Sequence, residues 1–282
     1  MPSSSISFVK RILNAINDLP DAERRLAEFI LDFPGDLASY EARELAGYAG
    51  VSNATVSRLV RRLGYTDFSA ARHSVRSEKT LGSPLMLDAK QRDQPDTIAA
   101  GLAYSHASLD ATFAALSDQA LNDVVQWISR ARMVWIAGYR SNQAFAAYFR
   151  WQIYQFLPLC QLIPGPGETI AEHMAHFEKD DCLVVFGVRR RVRQVDLLLE
   201  HARQTGMKTV LITDHLYGET KTVDRVLRCD TKGPGALDSH VAVAAVCSLL
   251  ITRLFHASGA HGRRRLVAME AAHEQADELA QN

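Results

Sequence analysis

The stretch Ser52 to Tyr65, SNATVSRLVRRLGY, carries a start signal, a stop signal, an apolar stripe at helical spacing and a cationic outer face within fourteen residues. Ser52 is a good helix N-cap, because its hydroxyl can accept from an orphan N–H of the first turn, and Gly64 stands where a left-handed C-terminal residue is wanted. Val56, Leu59, Val60 and Leu63 fall at i, i+3, i+4 and i+7 and predict one buried stripe. That leaves Asn53, Ala54, Thr55, Ser57, Arg58, Arg61 and Arg62 facing outward, small polar residues first and arginines after.

This order suits the DNA major groove, which a recognition helix enters by its N-terminal half while cations further along reach phosphates on the groove wall. Upstream, ARELAGYAGVS reads as a helix with Leu45 and Ala46 inward, a turn at Gly50, and Val51 closing the junction before Ser52. A helix, a tight turn holding a glycine and a second short helix make a helix-turn-helix. Ser52, Asn53, Thr55, Ser57, Arg58, Arg61 and Arg62 are therefore the candidate DNA-binding residues.

Charge agrees with a local contact. The 32 basic and 32 acidic residues cancel over the 282-residue chain. Residues 51 to 80, however, hold Arg58, Arg61, Arg62, Arg72, Arg76 and Lys79 against Asp67 and Glu78, a local charge of +4. The motif ELAGYAGVSNATVSRLVRRLGYTDF resembles the N-terminal helix-turn-helix of the MurR/RpiR family of bacterial transcriptional regulators. The resemblance extends back through LPDAERRLAEFILDFP and covers about residues 3 to 79. It implies a sugar-isomerase (SIS) domain behind the helical one.

The rest of the chain has the pattern such a domain needs. Two earlier helices are expected, one on Val9, Ile12, Leu13 and Ile16 and one on Leu26, Phe29, Ile30 and Phe33, with no polar anomaly. Residues 80–97 lose periodicity and are expected to be a linker, and a pair of helices follows from Ile98 to Arg130, with stripes on Leu102, Leu109, Phe113 and Leu116 and on Leu121, Val124, Val125 and Ile128, parted by a Ser117-Asp118 cap. From Met133 the apolar runs MVWIA, LCQLI, CLVVFGV, TVLIT and RVLRC alternate with helical or irregular segments, which predicts a doubly wound parallel sheet with helices on both faces. Its ligand site is expected at the carboxyl ends of the strands. The predicted fold is thus an all-α helix-turn-helix domain over residues 1–79 followed by a parallel α/β/α, SIS-like domain over 98–262, its core at about 125–260, and a charged helical tail over 263–282.

In SIS domains, to which the second half is similar, a G-x-G-x-S turn and a later S-x-S-G-x-T turn offer N–H groups and hydroxyls to a sugar phosphate. Both turns are present here in altered form. The first reads Gly138-Tyr139-Arg140-Ser141-Asn142, and the second Gly187-Val188-Arg189-Arg190-Arg191-Val192, without its hydroxyls. The arginines put guanidinium groups at a strand end where the next helix presents its N-terminus, a suitable place for an anion. Gly138, Arg140, Ser141, Asn142, Arg189, Arg190, Arg191 and His240 are the candidate effector-binding residues, the arginines alternatively pairing with Glu178, Asp180 or Asp181.

Glu168, Glu172, His173 and His176 read as a surface-facing polar helix, with neither a metal site nor a catalytic pair implied. Asp238 or Ser239 is expected to cap the last long helix. Four dispersed cysteines, Cys160, Cys182, Cys229 and Cys247, read as reduced core residues. No signal peptide and no apolar run of membrane-spanning length is evident, which implies a cytoplasmic protein. No P-loop, zinc spacing or dinucleotide fingerprint is present, and no cofactor is expected. The expected function is a ligand-responsive transcriptional regulator, a homodimer or homotetramer that binds an inverted-repeat operator in double-stranded DNA and answers to a small anionic metabolite, a phosphosugar being one candidate. The alternatives are a phosphosugar isomerase with an accessory domain and a SIS domain kept only for dimerisation.

Overall fold

The computed structural model describes residues 6–32, 34–80, 97–215, 217, 222–233 and 237–278. The chain divides into two compact units, the first built on residues up to Gly101 and the second on Leu102–Lys232 and Ser239 onward. The expected linker, 80–97, falls almost wholly outside the described residues.

The first unit is helical: α1 (Phe8–Ala15), α2 (Asp21–Asp32), α3 (Ala42–Tyr48), α4 (Asn53–Arg62) and α5 (Phe68–Thr80). Its core gathers Phe8, Ile12, Leu26, Ile30, Leu45, Val56, Leu59, Val60 and Val75. Leu13, expected on the inner face of α1, is instead 55% exposed, and Phe8 takes the buried place. Between α3 and α4 Gly50 turns with φ of 62°, and the Val51 N–H donates to Ala46 O at 2.9 Å. Ser52 caps α4 by accepting from the Thr55 N–H at 3.2 Å. At its other end Gly64 is left-handed, φ 89°, while the Tyr65 N–H returns to Val60 O at 3.0 Å.

The second unit opens at Leu102, within α6 (Ile98–Ala115), and continues with α7 (Asp118–Arg130), the latter capped by Ser117, which accepts from the Ala120 N–H at 3.1 Å. Then strands and helices alternate: β1 (Val134–Gly138), α8 (Asn142–Tyr154), β2 (Cys160–Ile163), α9 (Ile170–Met174), β3 (Cys182–Phe186), α10 (Arg193–Thr205), β4 (Lys208–Asp214), β5 (Arg225–Cys229) and α11 (Val241–Ala276). All strand pairs are parallel, in the order β2-β1-β3-β4-β5. Alternate strand residues feed two cores. Val134 and Ile136 face α7, α8 and α11, whereas Trp135 and Ala137 face α9 and α10.

Two expectations need correcting. In α6 the fully buried residues are Ser108 and Thr112, with Leu109 packed against the core beside them, while Leu102 and Phe113 point out, 55% and 41% exposed. The reason is backbone chemistry. Ser108 donates to Asp230 O at 2.9 Å, and the Asp230 N–H donates to Thr112 Oγ1 at 2.8 Å, so this face satisfies the chain as it leaves β5. Second, α11 continues as helix to Ala276, turning at Gly259 (φ 56°, ψ −136°), and by length and composition it could cross a membrane. Its Ala242, Val243, Val246, Cys247, Leu250 and Leu254 pack in the core against the sheet, which accounts for its apolar character. All four cysteines are free and buried, and burial pushes Cys160 up to about 11 and Cys229 and Cys247 up to about 12.

Candidate functional site

On α4 the leading residues Ser52, Asn53 and Ala54 are exposed, and Ser57 is half-buried. Thr55 is not on the outer face: it is 2% exposed, and its hydroxyl shares a 2.9 Å hydrogen bond with Ser52 Oγ and accepts from Arg58 Nη2 at 3.2 Å. Thr55 follows the cap by one turn and is drawn inward by it, so its role is to hold Ser52 and Arg58 in place. The three arginines differ. Arg62 Nε donates to Glu23 Oε2 at 2.8 Å, and Arg58 Nε lies 3.7 Å from Glu23 Oε1. Arg61 is exposed and has no side-chain partner among the described residues.

Glu23 is the residue that sequence reasoning missed. Its side chain is 4% exposed although it belongs to α2, and it ties α4 to that helix through two guanidinium groups. The signal was present: Glu23 lies three and seven residues before Leu26 and Ile30, on their buried stripe.

At the carboxyl ends of the strands, β1 and β3 are neighbours, with Gly138 opposite Phe186, and between them the strand order reverses. The first turn needs glycine at 138, where a Cβ would stand 2.4 Å from Asn142 O. Arg140 is left-handed, φ 58°, and exposed. It keeps the backbone that the missing glycine would adopt at less cost. Ser141 is exposed and forms no side-chain cap to α8.

Asn142 is buried rather than presented to a ligand. Its Nδ2 donates to Val188 O at 3.1 Å and its Oδ1 accepts from the Val188 N–H at 3.0 Å. One amide thereby locks the first turn to the second.

In the second turn Arg189 is also left-handed, φ 61°, and its N–H donates to Asp214 Oδ2 at 2.5 Å. Arg191 folds back: Nη1 donates to Thr213 Oγ1 at 3.1 Å, and the guanidinium lies 4.4 Å from the Tyr217 ring centroid. Arg190 is exposed. None of these arginines meets Glu178 or Asp181 in a described ion pair. Those carboxylates stand at the opposite, amino edge of the sheet and pair with Arg132 at 3.2 and 2.8 Å.

His240 occupies the N-cap position of α11 without a side-chain cap bond, where Asp238 or Ser239 was expected, and stacks on Phe145 at 5.3 Å. His173 is buried rather than surface-facing, with Nε2 2.8 Å from Glu168 Oε2 and its ring edge-on to Trp135. The Gly165 N–H and His173 hold the Glu168 carboxyl below its usual range. A general base at neutral pH needs the opposite shift.

Residues 6–80 match the family model for the rpiR-family helix-turn-helix domain, and residues 127–252 match the SIS domain. The transcriptional regulator HexR of Pseudomonas aeruginosa is 22% identical over 210 residues, 73% of either protein. Among solved structures, the sugar isomerase domain of the RpiR transcription factor of Sphaerobacter thermophilus is 21% identical with a TM-score of 0.59, covering 63% of this chain and 99% of that one. The Vibrio vulnificus NanR protein, complexed with ManNAc-6P, is 17% identical with a TM-score of 0.57 and covers 98% and 100%. With the helix-turn-helix and the SIS sheet each matched in the order in which the two units occur, the chain belongs to the RpiR family of transcriptional regulators.

Proposed function

We propose that this regulator binds an inverted-repeat operator as a homodimer or homotetramer in the cytoplasm, and that a small anionic metabolite, of the phosphosugar class or a carboxylate, occupies the strand-end cleft and changes operator affinity. The observation that carries it is the outer face of α4, where Ser52 and Asn53 lead and Arg61 follows without an internal partner among the described residues. Exposed polar groups at the helix front are free for base edges, and an unpaired guanidinium about two turns on is free for a phosphate. The two strand-end turns carry exposed Arg140 and Arg190, which favours an anion there. No catalytic step is assigned, since the contact of Glu168 with the Gly165 N–H and His173 holds its carboxyl low.

The test is a mobility-shift titration on the DNA upstream of the gene, over a series of salt concentrations. Asn53→Ala should flatten discrimination between operator and scrambled DNA, each lost base contact being worth about 1–3 kcal/mol. Arg61→Ala should weaken all DNA alike and reduce the salt slope by about 1. Binding unchanged in the double variant would rule out this docking.

A further inference from the structure

The second turn has the form of an anion nest, and it is already filled from within. A left-handed residue just before a helix turns its N–H toward the concave side, where anions gather. Here that residue is Arg189, and its N–H is taken by the carboxylate of Asp214, the last residue of β4. Asp214 is 2% exposed. Beside it Thr213, fully buried, donates to Gly187 O at 2.7 Å and accepts from Arg191. Val192, at the N-cap of α10, adds no hydroxyl. The inner donor and the inner arginine are therefore both engaged, and the exposed cations, Arg140 and Arg190, stand outside them.

We infer that Asp214 is the specificity-determining residue of the strand-end site: a buried resident carboxylate that holds the inner donor of the second turn against phosphate, so that the anionic group of an effector is kept outward, at Arg140 and Arg190. The inference rests on the reading of this cleft as the effector site. A carboxylate that already accepts the inner N–H leaves that donor unavailable to an anion, and its charge opposes a second anion brought beside it. Selectivity by a built-in repulsive group discriminates more sharply than one more attractive contact.

The experiment is calorimetric titration of the full-length protein with inorganic phosphate, comparing wild type, Asp214→Ala and Asp214→Asn. Asp214→Ala frees the Arg189 N–H and removes the charge, and should bind phosphate at least about tenfold more tightly than wild type. Asp214→Asn keeps the volume and an acceptor but not the charge, so it should fold as wild type does and gain less. In the variants, and not in wild type, the Arg189 amide resonance should move with phosphate. Equal affinity in wild type and Asp214→Asn, or movement of the Arg189 amide in wild type, overturns the inference, whether or not Asp214→Ala folds. Failure of the regulator reading would show elsewhere, as loss of operator binding, with the phosphate comparison still decided.

Discussion

Glu23 makes the arginines of α4 unequal, and substitutions there will not all report on DNA. Arg62 closes an ion pair on a carboxylate that is almost wholly buried, whereas Arg61 closes none among the described residues. Removing Arg62 leaves Glu23 with Arg58, 3.7 Å away, as its remaining charged partner. Since Arg62 is itself 49% exposed, the expected loss is on the order of 1 kcal/mol rather than that of a fully buried pair. Urea denaturation of Arg62→Ala should show that loss, while Arg61→Ala should stay within about 0.5 kcal/mol of wild type. Equal stabilities would mean that Glu23 does not depend on α4. The apolar stripe and both ends of α4 were legible in the sequence because each is set by near neighbours. Thr55, Glu23 and Asn142 were misread or missed because their partners are fixed by cap geometry or by another element. The same holds for the two altered turns, where left-handed backbone persists at Arg140 and Arg189 although neither is glycine.

At the scale of elements, α6 has its polar residues inside and large apolar ones outside. Its sequence, rich in alanine on every side, gives the 3.6-residue period little to act on, so the buried face could not be read from spacing. The strand–helix alternation was legible, because the central strands β1, β3 and β4 are buried on both faces and read as continuous apolar runs. What fixes α6 is its pair of hydrogen bonds to the backbone at Asp230. Thr112→Val keeps the shape but leaves the buried Asp230 N–H without its acceptor, which should cost about 1–3 kcal/mol. Thr112→Ser, which restores an acceptor, should recover most of it in a thermal melt. If valine and serine melt alike, α6 is held by packing alone.

For the whole molecule, regulation requires a ligand that distinguishes two arrangements of the protein. An anionic metabolite that binds only the folded chain, at a hundred times its Kd, should add about 2.7 kcal/mol of stability. Arg140→Ala and Arg190→Ala should abolish the resulting rise in melting temperature without weakening operator binding. A hit indifferent to both substitutions would leave the SIS unit as a dimerisation module. The Asn142 bridge bears on how such a site can change over generations. It grips the main chain of Val188, whose side chain is buried in the core, and none of the side chains from 189 to 191, so those three can be exchanged while the two turns stay joined. A lineage can therefore trade hydroxyls for guanidinium groups, and one metabolite for another, by single substitutions that leave the scaffold unaltered.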